Sequence, residues 1–505
     1  MTRWVIFAVA VALYLPTVKY DFVQDDRVIV VANPAVHSFS LALRGFSRPY
    51  WPPPNAGGLY RPLTILSYAV DWWLSGGRPW LFHLGNALWH GLAVVLVVVV
   101  LARWLPDPAA LVAGLVFAVH PVHVEAVASI VGRAELLAAV GLLGAVASAR
   151  RGWWTVTVVC ASMAMLSKEH GVVAAILVLA DDWLQPSGAR RYPAGLYGAL
   201  GVVTAAFLAV WVKIGGSAAA DVAAPFFGVG AGERLAVALP ALARAARLLV
   251  WPSGLSADYG PQVIPIHSGG SLAAVAGVAV LAGVVALGVR CRRSWPALSF
   301  AALATALCCL PTSNLLFASG VVLAERNLYV AVLLVAVAAA YAVAAGAVRW
   351  GSRPTNVAVA ILVLLLAAGS FARLGAWRDN RAFLLTLLVD HPESYHAHAS
   401  AAAVLAGLRD TAGARREYAR AESLFGRDPH LNADHALYLA GLRDSAPAAA
   451  LAARARALLP REHVALRAQF LLALNWGDRA RALALADTAR AFFPWDQEWY
   501  DRYLN

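Results

Sequence analysis

The sequence predicts an all-α protein: a membrane bundle of about eleven helices, followed by a separate array of helical repeats. Composition is the first observation, because 60% of the 505 residues are hydrophobic and 14% are charged. Soluble domains are about 45–50% apolar and about 25% charged. The second is a series of long apolar runs before residue 380. The third is a change, after about residue 385, to Ala- and Arg-rich amphipathic segments.

Eleven apolar runs predict the spans, since a helix crosses a bilayer with about 20 residues. They lie at residues 4–18, 83–104, 109–121, 134–149, 152–167, 170–184, 193–213, 271–289, 296–311, 328–348 and 356–375. A Pro- and Trp-rich loop at residues 19–82 and a mixed stretch at 214–270 separate them. The first run could be a signal peptide, but no clear cleavage site follows, and we interpret it as a span.

Arginine positions predict the orientation of the bundle, because basic loops stay on the cytoplasmic side. With the N-terminus inside, all tight basic groups fall in inner loops: Arg103, Arg150 with Arg151, Arg190 with Arg191, Arg290 with Arg292 and Arg293, and Arg349 with Arg353. The net charge of +12 therefore indicates topology and not nucleic-acid binding. The loop 19–82, the stretch 214–270 (as helices along the surface) and the C-terminal region are then outside. Abundant Ala, Gly and Val with few lysines suggests a bacterial inner membrane.

The region 385–505 is predicted to be a tetratricopeptide-like array of about three degenerate repeats. Prolines recur at Pro429, Pro460 and Pro494, close to the 34-residue period of such repeats. A plain array of helical hairpins is the alternative. Either solenoid presents a concave face suited to peptides or proteins.

The first outer loop carries two candidate groups. Asp25 and Asp26 are adjacent carboxylates that can act as a general base or hold a divalent cation. Their side chains should point in different directions, so we expect one base and one residue that orients a neighbour such as Arg61 or Arg133, with Asp26 slightly favoured as the base. Arg61 can bind a phosphate bidentately. The alternative for Asp25 and Asp26 is a solvated acidic pair or a helix cap. The alternative for the Arg61 segment is an anchor at the membrane interface.

The densest polar cluster lies at residues 120–135, at the outer end of the third run. It contains His120, His123, Glu125, Arg133 and Glu135. The imidazoles and Arg133 can donate hydrogen bonds to an anionic group. The cluster lacks the spacing of a zinc motif, and the four cysteines suggest neither a disulfide framework nor a zinc site. A structural polar network is the alternative.

Two further clusters follow outer helix ends. Lys168, Glu169 and His170 lie between two apolar runs, and Glu325 with Arg326 lies just before another. Charges beside spans are costly and so are functional candidates. The alternative is a local ion pair in each cluster.

The predicted topology places all five clusters on the outer side. Cations there can bind a lipid-linked phosphate and stabilise it as it leaves, while a carboxylate deprotonates the acceptor. The sequence has no phosphate-binding loop motif, which argues against a cytosolic nucleotide as the direct donor. The metal requirement stays open, with a divalent cation near Asp25 and Asp26 as one possibility.

Several long motifs carry a family resemblance. They are FVQDDRVIVVANPAV, YRPLTILSY, FHLGNALWHG, FAVHPVHVEAVASIVGRAELLAA, LSKEHG and SNLLFASGVVLAERNLY, in this order over residues 1–375. Together they resemble the transmembrane and tetratricopeptide-repeat O-mannosyltransferases, a branch of the C-type glycosyltransferases.

The resemblance implies an inverting membrane transferase, a polyprenyl-phosphate-linked sugar such as mannose as donor, and a Ser or Thr hydroxyl of a protein as acceptor. The family's catalytic acidic motif falls on Asp25 and Asp26, and the arginine of its ERNLY motif falls on Arg326. The repeat array is shorter than in the eukaryotic proteins, and residues 253–268 match loosely. Two other classes stay open: a transporter or flippase of a lipid-linked sugar, and a non-catalytic scaffold that displays the repeats.

Overall fold

The computed structural model describes residues 2–52, 58–186, 191–214, 222–264, 271–460, 462–493 and 497–504. Within these ranges the protein is helical, and an isolated bridge between Pro261 and Ile264 is the sole strand-like pairing. The predicted fold class is confirmed. Arg190, Pro494 and two parts of the 214–270 stretch (215–221 and 265–270) lie outside the described residues.

Fifteen α-helices form the first part of the chain and eight form the second. The first set is α1 Thr2–Tyr14, α2 Phe39–Arg44, α3 Pro62–Ser75, α4 Pro79–Leu101, α5 Asp107–Val119, α6 Val124–Ala128, α7 Arg133–Ala149, α8 Trp154–Ser167, α9 Ala174–Trp183, α10 Ala194–Lys213, α11 Ala231–Val250, α12 Leu272–Arg290, α13 Pro296–Cys309, α14 Val332–Trp350 and α15 Ser352–Leu374. The second set is α16 Asn380–Asp390, α17 Tyr395–Gly407, α18 Thr411–Phe425, α19 Pro429–Gly441, α20 Ser445–Leu458, α21 His463–Asn475, α22 Arg479–Phe492 and α23 Gln497–Leu504.

The chain is a multi-pass membrane protein. Six described helices are long and apolar enough to span a membrane, corresponding to α4, α7, α10, α12, α14 and α15. A seventh span is possible if α5 and residues 121–128, bent by 49°, count as one. Pro121 lies at this break because proline removes a donor and clashes with the preceding turn. Each of the eleven apolar runs contains a helix, but the number of spans stays a prediction.

Helix α7 is the centre of the bundle, with 89% of its span buried. Small residues let α8 come close to it. A Cβ atom on Gly141 would lie 2.7 Å from both the Ala164 nitrogen and the Cys160 carbonyl oxygen. Such close approach strengthens dispersion contacts between helices in lipid, where burial of apolar surface contributes little. The outer end of α7 is thereby held rigidly, and this end carries Glu135.

The segment predicted as a long loop, residues 19–82, contains the helices α2 and α3. Helix α3 begins at Pro62, which fits the first turn because its missing N–H would be unpaired there anyway. It ends at Gly76, whose φ of 64° is the left-handed conformation typical after a helix. The loop expectation was therefore wrong for residues 62–75, where Ile65 and Tyr68 are buried in a small core of their own.

The described part of the 214–270 stretch contains one long helix, α11. Its Arg244 and Arg247 side chains turn back to carbonyl oxygens of the following segment, at Gly254 (2.9 Å) and Ser253 (2.8 Å). Helix α11 packs against α12 and is absent from the set of span-like helices. Its position along the membrane surface stays a prediction.

Helices α17 to α22 repeat with a period of 34 residues. The first helices of the three pairs start at Tyr395, Pro429 and His463, and the second helices start at Thr411, Ser445 and Arg479. The left-handed residues Arg409, Arg443 and Gly477, with φ of 61°, 60° and 75°, sit at equivalent turns. This period is that of tetratricopeptide repeats. An Asp follows each left-handed residue and begins the second helix.

Polar contacts join the repeat array to the membrane bundle. The Ser394 hydroxyl donates to an Asp258 carboxylate oxygen over 2.6 Å, and His396 Nδ1 lies 3.1 Å from the other oxygen. Gln262 donates to the Leu424 carbonyl over 3.1 Å. The pKa of Asp258 is lowered although burial opposes this, because His396 and hydrogen bonds favour its charged form. The array is therefore tethered at a defined place, beside the segment that follows α11.

We expect a cysteine introduced at Ser423, which is exposed on α18, to react in intact cells with a membrane-impermeant maleimide. A cysteine at Arg103, in a predicted inner loop, should react only after the membrane is permeabilised. Both variants are made in a background without the four native cysteines. If the cysteine at position 423 is not labelled in intact cells, the repeats do not lie outside.

Candidate active site

A cavity of about 660 Å³ lies at the helix ends that the topology predicts to be outside. Its wall brings together seven of the thirteen predicted site residues: Asp25, Arg61, Glu135, Lys168, Glu169, His170 and Arg326. These residues come from five separate stretches of sequence, so the cavity depends on the tertiary fold. The predicted convergence of charged clusters is present for this subset.

The two adjacent aspartates have different environments. Asp25 lines the cavity, and no described residue forms a hydrogen bond or ion pair with it. Asp26 is fully buried, and its two oxygens accept backbone N–H groups of Val23 (3.0 Å) and Val131 (2.9 Å). Burial raises the pKa of Asp26 to about 7, although these backbone hydrogen bonds act in the opposite direction.

This geometry favours Asp25, and not Asp26 as we expected, for contact with a ligand; which aspartate is the base stays a prediction. Asp26 joins two loops and has no free oxygen toward the cavity, whereas Asp25 is open to a ligand. The expected contact of the second carboxylate with Arg61 or Arg133 is absent among the hydrogen bonds of the described residues. Gln24, just before the pair, has a left-handed φ of 51°, which is costly for a residue with a Cβ atom. Its N–H donates to Asn380 over 2.8 Å, which helps to hold this turn.

Arg61 approaches the cavity as part of a bidentate ion pair. Its Nε and Nη2 atoms donate to Glu169 over 3.0 and 2.8 Å, and its guanidinium lies 4.9 Å from the centre of the Tyr50 ring. Burial opposes the charge, but Glu169 more than compensates and raises the pKa of Arg61. The side chain is a fixed cation with a planar set of donors, the geometry that suits a phosphate.

Lys168 and His170 share a carboxylate. The Lys168 ammonium group forms an ion pair with Glu135, and His170 Nε2 lies 3.6 Å from the same side chain. Lys168 also donates to Asn327 Oδ1 over 2.8 Å. Burial lowers the pKa of Lys168, while Glu135 opposes the shift. Glu135 thus holds the Lys168 ammonium group at the cavity wall, with the His170 ring beside it.

Arg326 is the most accessible of the three cavity cations, with 30% of its side chain exposed. Its guanidinium and its backbone N–H donate to the two oxygens of Glu125, over 2.7 and 2.8 Å. The charge of Asp25 also acts on Arg326, although burial and Glu125 have larger effects on its raised pKa. The candidate base and this cation therefore face the same space.

One end of the cavity is apolar. Phe207, Leu208 and Trp211 of α10 lie there, together with Leu316 and Phe317 of the loop after α13. Leu208 and Leu316 are 41% and 62% exposed. Helix α10 is span-like, with 17% of its length buried, so the apolar end lies beside a largely exposed apolar helix. The cavity therefore combines a charged end with an apolar end.

Arg133 is not a cavity residue, contrary to the expected anion contact. It is fully buried, forms an ion pair with Asp71, and donates to Asn86 Oδ1 (2.8 Å) and the Phe82 carbonyl (2.6 Å). All of its contacts join α3, α4 and α7. Because its donors are engaged by the protein, the alternative of a structural polar network describes Arg133.

The two histidines of the same cluster also lie inside the protein. His120 Nε2 is 3.0 Å from the Leu249 carbonyl, and His123 Nε2 is 3.1 Å from the Tyr329 carbonyl. Both are buried. They join the chain break after α5 to other segments and do not reach the cavity, so their expected contact with a phosphate was wrong.

Glu325 and its neighbour Arg326 bind different partners and do not pair with each other. It is fully buried and accepts hydrogen bonds from Arg373 (3.1 Å), the Tyr259 hydroxyl (2.7 Å) and the Ser256 N–H (2.6 Å). Burial raises the pKa of Glu325 to about 7, with Arg373 opposing. The alternative of a local pair with Arg326 was wrong, and Glu325 anchors the segment after α11.

Sequence reasoning missed the partners that complete these networks. They are Asp71, Asn86, Asn327, Arg373 and Tyr50. A carboxylate or arginine within a largely apolar helix, as for Asp71 and Arg373, is the signal that could have found two of them. Among the described residues no group of three or more His, Cys, Asp or Glu side chains is placed to hold a metal ion. The cation near Asp25 remains an untested prediction.

Fold and site define a polytopic membrane protein with a cavity that has a charged end and an apolar end, and with a helical repeat array. Sequence comparison then identifies its relatives. Residues of this chain are 43% identical over 139 residues to protein O-mannosyl-transferase Tmtc2 of Drosophila melanogaster and 33% identical over 181 residues to TMTC3 of Homo sapiens. They are 29% identical over 436 residues to protein O-mannosyl-transferase F38B6.6 of Caenorhabditis elegans. The predicted resemblance is confirmed: the chain is a relative of these O-mannosyltransferases.

The matches differ in extent. They cover 26%, 33% and 83% of this chain, and 15%, 20% and 62% of the fly, human and nematode proteins. The chain therefore spans less than two thirds of these relatives. No family model matches the sequence. The structure is similar to that of ArnT from Cupriavidus metallidurans bound to undecaprenyl phosphate, with a TM-score of 0.39, 18% identity, and coverage of 78% of this chain and 81% of that one.

We expect Arg133→Met to destabilise the protein by about 3–5 kcal/mol, because it leaves Asp71 as an unpaired, largely buried charge. The measurement is thermal unfolding followed by tryptophan fluorescence, with Arg151→Met, which removes an exposed arginine, as control. An Arg133→Met protein with unchanged stability and weakened donor binding would restore Arg133 as a phosphate ligand.

Proposed function

We propose that the protein is an integral-membrane glycosyltransferase that acts on the outer side of its membrane. It moves a sugar from a polyprenyl-phosphate donor to a Ser or Thr hydroxyl of a protein, with inversion of the anomeric centre. The names of its relatives indicate that this sugar is mannose. The observation that carries this proposal is the carboxylate of Asp25, which has no hydrogen-bond or ion-pair partner among the described residues and lines a cavity walled by Arg61, Lys168 and Arg326. We place the protein in a bacterial inner membrane, with its N-terminus in the cytoplasm.

The cavity is suited to both halves of a lipid-linked donor. The apolar end beside α10 takes the polyprenyl chain, and the three cations take the phosphate. Each cation already has a carboxylate partner, so its position is fixed before the donor binds. Preorganised charges of this kind stabilise developing negative charge without reorganising during the reaction.

The reaction needs one base and one stabilised leaving group. Asp25 takes the proton of the acceptor hydroxyl, and the hydroxyl oxygen bonds to the anomeric carbon of the sugar. The bond from that carbon to the phosphate oxygen breaks, and its electron pair leaves with the phosphate, which the cations hold. Attack from the side opposite the phosphate inverts the anomeric centre. Asp26 contributes by fixing the loop that aims Asp25.

Asp25→Asn should lower kcat by about 10²–10⁴-fold, since it removes the proton acceptor and keeps the side-chain shape. Transfer from a polyprenyl-phosphate sugar to a threonine peptide, in detergent, is the assay. The control is Asp21→Asn, which removes an exposed carboxylate four residues earlier. Near wild-type turnover of Asp25→Asn would exclude Asp25 as the base.

The neighbouring change Asp26→Asn should act on stability. An amide offers one acceptor oxygen where two backbone N–H groups now bind, so we expect a loss of about 1–3 kcal/mol. An Asp26→Asn protein that is as stable as wild type but inactive would mean that Asp26, and not Asp25, is the base.

Removing Arg326 alone would leave Glu125 buried and unpaired, so the informative variant is the double change Arg326→Gln with Glu125→Gln. It keeps neutral hydrogen bonding and deletes one cation from the cavity. We expect kcat/KM for the donor to fall about 10- to 150-fold, equivalent to about 1.5–3 kcal/mol for a charge-assisted contact. Unchanged donor kinetics in a folded double variant would remove Arg326 from the phosphate site.

A further inference from the structure

The repeat array contains a groove of about 800 Å³ on its concave side. The first helices of the repeats, α17 and α19, supply most of its wall, and α23 closes one end with Trp499 and Tyr503. Aromatic and small apolar residues line it, together with Asp428, Asp434 and His430. A concave, mostly apolar groove with a few carboxylates is suited to an extended polypeptide segment.

A narrower cavity of about 210 Å³ connects this groove with the active-site cavity. It shares Tyr395, His396, Asp428 and His430 with the groove. It shares Gly320, Val321 and Arg326 with the active-site cavity. The three spaces therefore adjoin one another in a row, and their order from outside to inside is groove, narrow cavity, active site.

Three carboxylates, Asp428, Asp434 and Glu462, lie close together at one place in the groove, with His430 among them. Asp428 is engaged by the Tyr395 hydroxyl (2.8 Å) and the His430 N–H (2.8 Å), and Glu462 caps α21 by accepting from the Ala465 N–H. Asp434 lines the groove, is accessible there, and has no hydrogen bond or ion pair with any described residue. Enclosure by the groove raises the pKa of Asp434 to about 7, and the charges of Glu462 and Asp428 add to this, although His430 opposes it.

We propose that the groove binds the acceptor polypeptide as an extended segment with a lysine or arginine at Asp434, and that the segment passes through the narrow cavity to present its hydroxyl beside Asp25. This inference rests on the proposed function and deepens it, because it names the chemical class of acceptor. A cationic side chain at Asp434 would give this carboxylate the partner that it lacks.

The peptides for the test are neutral chains with a single threonine and one lysine at varied distance from it. Binding is measured by fluorescence anisotropy on the full-length protein without donor, and transfer is measured separately with donor. We expect one lysine spacing to bind best, and Asp434→Asn to weaken that peptide about tenfold in Kd and KM with kcat unchanged. Asp434→Lys should reverse this preference, so that a peptide with glutamate in place of lysine binds better than the lysine peptide.

Two variants complete the experiment. Asp487→Asn, which removes an exposed carboxylate outside the groove, should leave Kd and KM unchanged. Ala223→Trp, which fills the narrow cavity, should abolish transfer to long peptides while donor binding is retained. Transfer that proceeds with no dependence on peptide charge or on residue 434 would overturn the inference and leave the proposed function intact. Charge-dependent binding at residue 434 without transfer by any variant would support the groove and contradict the proposed function.

Discussion

The active-site cavity depends on the cost of burying charge. A cation removed from water must have a partner, or its burial costs several kcal/mol. Arg61, Lys168 and Arg326 each meet a carboxylate from a different part of the chain, namely Glu169, Glu135 and Glu125. Each pair therefore fixes two segments relative to each other. In a lipid environment, where apolar burial adds little to helix association, such polar contacts help to specify the packing.

The same constraint extends beyond the cavity to Asp26, which does not line the cavity itself but adjoins the candidate base Asp25. Asp26 binds the N–H of Val131, two residues before Arg133. Arg133 in turn is held by Asp71 of α3 and Asn86 of α4. The acidic turn is thus linked to the buried network at the start of α7. A change in this network would move Asp25 without touching the cavity, which is how residues remote from the chemistry influence a rate.

The sequence predicts which residues are costly, but it does not predict their partners. Charges next to apolar runs identified every cation of the cavity, and the apolar runs located eleven helices. The partners lie 108, 33 and 201 residues away from Arg61, Lys168 and Arg326. The sequence instead suggested ion pairs between Lys168 and Glu169 and between Glu325 and Arg326, because only pairs of neighbouring residues can be recognised without the fold. The topology alone decides between local and distant partners.

The different environments of the adjacent Asp25 and Asp26 side chains are a second feature that the sequence does not predict. Distance from the first span favoured Asp26 as the base, but the left-handed turn at Gln24 directs Asp26 inward and Asp25 into the cavity. That φ value was not predictable, since Gln rarely adopts it. In the repeats, by contrast, the segment Gly-Leu-Arg-Asp occurs at both 407–410 and 441–444. This signal of the 34-residue period was available and is clearer than the proline spacing.

The position of the Arg326–Glu125 pair has a thermodynamic consequence. Arg326 lines both the active-site cavity and the narrow cavity, and Glu125 lines the latter. A phosphate on the inner side and a polypeptide on the outer side would therefore contact the two members of one ion pair. A ligand that draws Arg326 inward changes the charge that the other ligand meets. Such coupling is reciprocal, so each ligand must alter the affinity of the other by the same factor. Under the proposed function, donor and acceptor binding would be linked through one salt bridge, without any large conformational change.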